Sequence, residues 1–544
     1  MANGRDRFVE DHMAPAAAGP VFLFNGLDYP ERLNAAAELI DRPVAEGDGD
    51  RLAVVGAAGS WSYAMLHSLA DRIARLLVEE EGLVPGNRVL LRGPNGAMLF
   101  AAWLGVVKAG GVVVTTMPLL RATEIAAIIG RGQISHAIVD AACLAEFEAA
   151  AGQTGLVRSV LVYAGDRGGG PLEARLAGVA SGFTAADTGR DEPAALAFTS
   201  GTTGQPKATV HYHRDLLIPA DGFARTILRP RRGERFCGTP PIGFTFGLGA
   251  LLLFPLRFRG TCVIPDDASP DALIDAIARH RVTMLFTAPT AYKAMLPRLA
   301  GQDLSSLSAC VSAGEPLPAA TAEAWRAATG LPLIDGLGST EMMHIFISAP
   351  AGQVRPGWTG RAVPGYIVRV LDERDRPQAR GTGRLAVRGP TGCRYLGDAH
   401  AQARYVIDGW NVTGDTYEID EEGWCRFVAR SDDMIISAGY NIAAPEVEAA
   451  LCRHPAVAEC AVVAHPDAQR GHVVKAFVVA AQGPADARLA RALQDHVKAA
   501  IAPYKYPRLI EFVPRLPRTA SGKVRRFALK SVKRGNCGGG DGLR

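Results

Sequence analysis

The chain has 544 residues, 48% of them hydrophobic and 21% charged. That is enough apolar material for a large core spread over more than one domain, and it excludes both a single small binding module and disorder along the whole length. The 59 basic and 55 acidic side chains leave a formal charge of +4, too near balance at this length to hold nucleic acid or a membrane by electrostatics alone.

In chain order, the polar N-terminus MANGRDRFVEDHM carries no apolar signal core. A strand is predicted over 89–91, a helix over 97–108 and a strand over 112–115 after the Gly110-Gly111 break, which together make a βαβ unit. An apolar run covers 194–198. The segment 250–258, ALLLFPLRF, falls far short of the roughly 20 apolar residues of a membrane span and is broken by Pro255 and Arg257. The βαβ rhythm returns further on: Ser269 caps a helix with Pro270 in its first position, 283–287 reads as a strand, 318–329 as a helix and 332–335 as a strand. An α/β fold of parallel, doubly wound sheets is implied.

Near 360 apolar and polar residues alternate around an Asp/Arg/Gly-rich turn, which predicts an antiparallel hairpin. After 433 a helix over 445–453, strands over 459–464 and 474–480, a helix over 485–500 and a strand over 509–513 predict a separate α+β lobe. The final RGNCGGGDGLR cannot bury a core and is expected to be a disordered tail. The nine cysteines, an odd number without a CxxC pair, indicate neither a disulfide framework nor a zinc ribbon. They predict reduced thiols in the cytoplasm.

Five strings carry chemistry. Thr199-Ser200-Gly201-Thr202-Thr203-Gly204-Gln205-Pro206-Lys207 offers hydroxyls, unhindered backbone N–H groups and one positive charge, the requirements of a polyphosphate. It lacks the Gly-Lys-Ser/Thr of a Walker loop. Asp335-Gly336-Leu337-Gly338-Ser339-Thr340-Glu341 leaves the end of a predicted strand, where an open parallel sheet forms its ligand crevice. There Thr340 can hydrogen-bond a phosphate and Glu341 can hold Mg2+ through a hard oxygen. Trp410-Asn411-Val412-Thr413-Gly414-Asp415 presents a carboxylate able to accept both hydroxyls of a ribose diol. Arg430-Ser431-Asp432-Asp433-Met434, followed by Ile435 to Asn441, falls where the large and small lobes meet. Pro517-Arg518-Thr519-Ala520-Ser521-Gly522-Lys523 is a loop presenting one lysine. Taken singly, each is also readable as a turn, a helix cap or a charged linker. His211-Tyr212-His213 has HxH spacing, but two histidines alone make a weak metal signal, so a strand flanking the first loop is the plainer reading.

In this order and at these separations, the five strings closely resemble the adenylate-forming superfamily of acyl-CoA synthetases, adenylation domains and luciferases. GSTEMMHIF and DDMIISAGYNIAAPEVE look most like its benzoate- and 2-aminobenzoate-CoA ligases. The resemblance implies an N-terminal domain over 1–431, with a small antiparallel barrel over about 360–431, a mobile C-terminal domain over 432–530 and a tail over 531–544. It implies ATP, Mg2+ and CoA, with an aromatic acid activated as its adenylate and passed to the CoA thiol; an enzyme loading a separate acyl carrier protein and a fatty acyl-CoA ligase are the rival readings. A nucleotide-binding regulator without turnover is a rival of another class, disfavoured by intact Lys523, Glu341 and 199–207.

By matched position, Thr199, Ser200, Gly201, Thr202, Thr203, Gly204 and Lys207 hold the β- and γ-phosphates, Thr340 the α-phosphate and Glu341 the metal. Gly314, Glu315 and Pro316, with Asp335 and Gly336, flank adenine. Asp415 and Arg430 hold the ribose. Thr245, Phe246, Ala313, Gly338 and His344 line the acid, and Lys523 bridges the acid carboxylate and the α-phosphate. Asp432 is the hinge that brings Ser437, Ala438, Gly439 and Tyr440 over the CoA channel. Two departures stand out: Ala429 where many relatives have Gly, and Ile436 where many have Lys. A monomer or homodimer without nucleic-acid or membrane partners is expected.

Overall fold

The computed structural model describes residues 4–200, 206–430, 434–437, 440–467, 471–481, 484–501, 503–518 and 524–530. They fall into two compact units, one of Met1–Gly381, Ala386–Thr413 and Ile419–Arg426, the other of Thr382–Leu385, Gly414–Glu418 and Phe427–Arg544.

In the first unit, one sheet runs in the order Ser159–Tyr163, His136–Asp140, Arg88–Arg92, Val112–Thr116, Pro193–Ser200, Pro206–Tyr212. The first five strands are parallel to their neighbours and the last is antiparallel. The predicted βαβ unit is its centre, with the helix at Ala97–Lys108. All twelve residues of that helix are buried, because AMLFAAWLGVVK is apolar all round and has no face to offer water. It packs on the helix Tyr63–Glu79. At the crossing an added Cβ on Gly105 would stand 2.9 Å from the Ala70 carbonyl oxygen, so only glycine permits this approach. The helix start is capped from outside: the Ala97 and Met98 amides donate to the Asp166 carboxylate at 2.7 and 2.8 Å.

The second sheet has nine strands, ordered Arg361–Ala362, Ile345–Ser348, Leu333–Gly338, Ala309–Ala313, Met284–Thr287, Arg235–Gly238, Thr261–Val263, Leu52–Gly56, Gly59–Ser62. Its middle is parallel and its two ends are antiparallel. The capped helix is Pro270–His280, and the Ser269 hydroxyl accepts from the Ala272 amide at 3.2 Å. The strand expected over 332–335 runs on to Gly338, because Ile345–Ser348 returns along it and pairs the backbone beyond Asp335. The hairpin expected beyond 360 pairs Val370 with Gln378 and Leu371 with Pro377. Asp372 Oδ1 closes its turn by accepting the Arg374 and Arg376 amides.

The second unit is α+β. Its strands Val457–Asp467 and Gly471–Ala480 are antiparallel and longer than predicted. Leu509–Phe512 lies parallel to the second of them. The helices are Ala444–Leu451 and Ala487–Ala500, and Ile442, Val447, Leu451, Val462, Val474 and Leu493 build the core between helices and sheet. Among the described residues no helix is long and apolar enough to cross a membrane.

A buried ion cluster closes the end of the Ala97–Lys108 helix. Lys108, 1% exposed, meets Asp71, also 1% exposed, and reaches Asp41 at 2.6 Å. His67 Nε2 lies 3.4 Å from the ammonium. The ammonium occupies the place a metal would take between these two carboxylates and offsets one of their charges. Removing it strands a buried carboxylate, which costs about 3–5 kcal/mol. Lys108→Met is therefore expected to destabilise the chain by that order in thermal or urea unfolding, and adding Asp71→Asn to recover part of the loss.

Candidate active site

Parallel pairing assembles the first part of the site. Ser312 lies opposite Asp335, and Ala313 opposite Gly336, so the segments that leave these two strands emerge side by side at the carboxyl edge of the sheet. This is the crevice expected of an open α/β sheet. Gly314, at φ +88°, turns the first segment outward, leaving Gly314 and Pro316 exposed and Glu315 half-buried. Although Asp335 keeps some contact with solvent, protein fills most of the space around its carboxyl. That burial raises its pKa to about 7, against hydrogen bonds from the Gly336 amide and Thr359 that favour the anion. The Ser348 hydroxyl donates to the Asp335 carbonyl at 2.7 Å.

Next along the chain, Thr340 and Glu341 are half-buried in a turn held from several sides. The Met342 amide donates to the Ser339 hydroxyl at 3.2 Å, and the Thr391 hydroxyl donates to the Met342 carbonyl at 2.8 Å. Met343 takes φ +68°, a left-handed conformation that non-glycine residues avoid unless their surroundings fix it.

The Ser/Thr/Gly string proves to be the tip of a hairpin. Pro193–Ser200 and Pro206–Tyr212 pair antiparallel, with Thr199 opposite Lys207 and Ser200 opposite Pro206. Gly201, Thr202, Thr203, Gly204 and Gln205 lie outside the described residues, as does the side chain of Ser200. Lys207 Nζ sits 5.4 Å from the ring centre of Tyr395, and the Tyr395 hydroxyl donates to Glu341 Oε1 at 2.8 Å. A lysine from one motif and a carboxylate from another thus meet on one buried phenol. Burial, and then the Glu341 charge, push the Tyr395 pKa far above its ordinary value, so it stays a proton donor. Sequence reasoning missed Tyr395, which belongs to no motif; its neighbours join the hairpin through a bridge between Tyr395 and Thr209. Glu341 offers a hard oxygen with its orientation fixed by Tyr395, which suits Mg2+ beside phosphate oxygens.

The HxH pair separates into two structural roles. His213 Nδ1 accepts the Ala35 amide at 3.2 Å. His211 lies against the Thr340 backbone without a well-formed hydrogen bond. Burial lowers their pKa values to about 3 and about 4, so both rings are neutral. Neither joins a metal-ligand cluster among the described residues.

His344 is fully enclosed by aromatic rings, with centroids of Phe254, Phe223 and Phe246 at 4.8, 5.4 and 5.8 Å. Burial lowers its pKa to about 3. Gly338 is required beside it, because an added Cβ would stand 2.7 Å from the His344 carbonyl oxygen. Thr245 opens the short helix Thr245–Leu248, which carries Phe246, and Ala313 is buried at its strand's end. Of the residues expected around the acid, Phe246, Gly338 and His344 are therefore brought together.

The second unit carries the remaining candidates. Asp415 is buried within the strand Trp410–Ile419. Ser437 is buried and pairs with Tyr440 across a hairpin. Asp432, Ala438, Gly439, Lys523 and 531–544 lie outside the described residues, as do the side chains of Arg430 and Tyr440. Arg518 and Val524, which flank the lysine segment, form a bridge.

Comparison with known proteins matches residues 42–395 to the AMP-binding enzyme family and 446–523 to the AMP-binding enzyme C-terminal domain. The benzoate–CoA ligase of Thauera aromatica is 37% identical over 513 residues, covering 93% of this chain and 97% of that one. A crystal structure of the anthranilate CoA ligase AuaEII with anthranoyl-AMP superposes with a TM-score of 0.85 at 32% identity, covering 93% of this chain and 98% of that one. A benzoate CoA ligase from Burkholderia xenovorans LB400 gives 0.81 at 32% identity, covering 92% and 100%.

The Asp335 carboxyl makes stability depend on pH. The unfolded chain releases this proton near the ordinary carboxyl value of 3.8 and the folded chain near 7. Between those values the folded state binds more protons, so this group's contribution falls as pH rises and levels off above about 7. Relative to the parent, Asp335→Asn is expected to gain about 1–2 kcal/mol between pH 4 and pH 8, less than the full shift implies because water reaches part of the group. Unfolding midpoints across that range, parent against variant, measure it.

Proposed function

The chain belongs to the AMP-binding enzyme family and is an acid–thiol ligase using ATP, Mg2+ and CoA; from that premise we propose that its acid is an aromatic carboxylate of the benzoate or 2-aminobenzoate type. The observation that carries this reading is the aromatic enclosure of neutral His344 by Phe223, Phe246 and Phe254. A flat ring gains offset or edge contacts there. A histidine among phenylalanines adds a polar group suited to a small ring substituent.

In the first step the acid's carboxylate oxygen attacks the α-phosphorus of ATP and pyrophosphate leaves. In the second the CoA thiol attacks the acyl carbon and AMP leaves. Both reactants of the first step are anions, so positioning and charge compensation decide its rate. We assign Thr199 to Gly204 and Lys207 to the β- and γ-phosphates, Thr340 to the α-phosphate, and Glu341, aimed by Tyr395, to Mg2+. The metal's contribution is to neutralise phosphate charge. Gly314, Glu315, Pro316, Asp335 and Gly336 frame adenine, and a protonated Asp335 both donates and accepts, as the adenine amidine edge requires. Asp415 and Arg430 take the ribose.

Lys523 takes the acid carboxylate and α-phosphate, Asp432 is the hinge of a mobile domain over 432–530, and Ser437 to Tyr440 guide pantetheine. We also place the enzyme in the cytoplasm, on its odd number of cysteines without a CxxC pair.

Mass spectrometry of AMP and acyl-CoA, with ATP, Mg2+ and CoA against benzoate, 2-aminobenzoate, hydroxybenzoates, phenylacetate and medium-chain fatty acids, tests the assignment. Thioesters of aryl acids and not of fatty acids are expected, whereas adenylate without thioester would point to a carrier-protein acceptor. His344→Ala should raise KM for the preferred aryl acid about tenfold with little change for ATP. Lys523→Ala should slow acid-dependent pyrophosphate release about 100- to 1,000-fold, and Asp432→Pro should impair thioester formation more than adenylation.

A further inference from the structure

Two cysteines of the second unit face each other outside every group assigned above. Cys452 follows the helix Ala444–Leu451, with its amide donating to the Glu448 carbonyl, and is exposed. Cys460 stands on the strand Val457–Asp467 and is half-buried. Their sulfurs are 3.6 Å apart, and Cys460 Sγ also lies 3.6 Å from the Glu448 carbonyl oxygen. Among the other described cysteines, Cys143 is half-buried and Cys237, Cys262, Cys310, Cys393 and Cys425 are buried. Among the described residues, only this pair therefore joins an exposed thiol to a second sulfur within contact.

We infer that Cys452 and Cys460 form a reversible dithiol–disulfide site, oxidised by peroxide and reset by low-molecular-weight thiols. Cys452, open to water, takes one peroxide oxygen and becomes a sulfenic acid as water leaves. The Cys460 sulfur then attacks the Cys452 sulfur. The S–S bond forms, the S–O bond breaks, and the hydroxyl departs as water with the Cys460 proton. In sum, two thiols and one peroxide give one disulfide and two waters. A reducing thiol pair returns two electrons and two protons. Bringing the sulfurs to about 2.05 Å calls for side-chain rotation and slight movement of the helix end toward the strand.

That movement reaches Glu448, which links the same elements. Its Oε1 accepts the Val462 amide at 2.7 Å, and its two oxygens pair with Arg526 at 2.8 and 2.7 Å. Arg526 opens the helix Arg526–Lys530, three residues after Lys523. Oxidation should therefore slow adenylation, a consequence that rests on the role proposed for Lys523.

The full chain, treated with hydrogen peroxide, is expected to lose two thiols and two hydrogens in mass. Trypsin cuts after Arg453, between the two cysteines, so the bridge appears as a linked peptide pair that separates on reduction and is lost in Cys452→Ser and in Cys460→Ser. Over-oxidation of Cys452 without a bridge, or a bridge to Cys537 instead, would overturn the site. Pyrophosphate release should fall at least threefold in step with bridging and recover with dithiothreitol, while Cys452→Ser keeps its rate in peroxide; bridging at an unchanged rate would overturn the regulatory consequence. Peptide mapping needs no substrate, so failure to activate any acid would tell against the ligase assignment and leave the thiol result standing.

Discussion

Parallel strands point their carboxyl ends to one edge of a sheet, and that constraint decides where this chain can do chemistry. The pairing of Ser312 with Asp335 and Ala313 with Gly336 places the segments after two strands side by side, although a helix and more than twenty residues separate them in sequence. The antiparallel return of Ile345–Ser348 along Leu333–Gly338 then forces the intervening turn to fold tightly back. Thr340, Glu341 and His344 are carried by that turn. Gly338 has no side chain because the backbone at His344 comes too close for one.

At the end of the Ala97–Lys108 helix a buried charge keeps a buried partner, as Lys108 does in Asp71. Around the candidate site, burial removes charge instead. His211 and His344 are held neutral, and Asp335 keeps its proton up to about pH 7. For Asp335 this helps a site that must bring a carboxylate toward a triphosphate, because a protonated carboxyl adds no repulsion. The cation that the described residues place at the motif junction is Lys207, held over the face of Tyr395, whose hydroxyl in turn orients Glu341.

Much of the scaffold was legible because its signals are local. Ser269 and Pro270 mark a helix start by their own backbone preferences. The apolar run at 97–107, closed by Lys108, reads as a core helix, and the ends of both strand runs in the second unit fell short of the observed pairing by a few residues. The rest depended on contacts distant in sequence. Nothing in 206–212 announces that this strand turns back on 193–200, since alternating Lys, Thr, His and apolar residues fit either sheet direction. Tyr395 sits in RYLGD, a string with no motif value, and becomes part of the site only because its strand bridges Thr209. The HxH pair reads as part of a strand flanking the first loop, and His211 lies in that strand. Their distinct surroundings come from distant contacts, which give His213 a backbone amide to accept and leave His211 beneath Thr340.

In the acid pocket proposed for this chain, His344 would carry selectivity at a cost to the fold. Its ring nitrogens have only a poorly formed contact with the Phe246 backbone, and a buried polar group so weakly satisfied costs up to about 1–3 kcal/mol. A leucine of similar volume would pack against Phe223, Phe246 and Phe254 without that penalty. The cost is recovered only when something enters that can hydrogen-bond to imidazole. An aromatic acid bearing an amino or hydroxyl group would do so, while an aliphatic chain would leave the nitrogens as they are. In the proposed pocket the histidine would penalise the empty and the wrongly filled states together, while the rings around it set the shape.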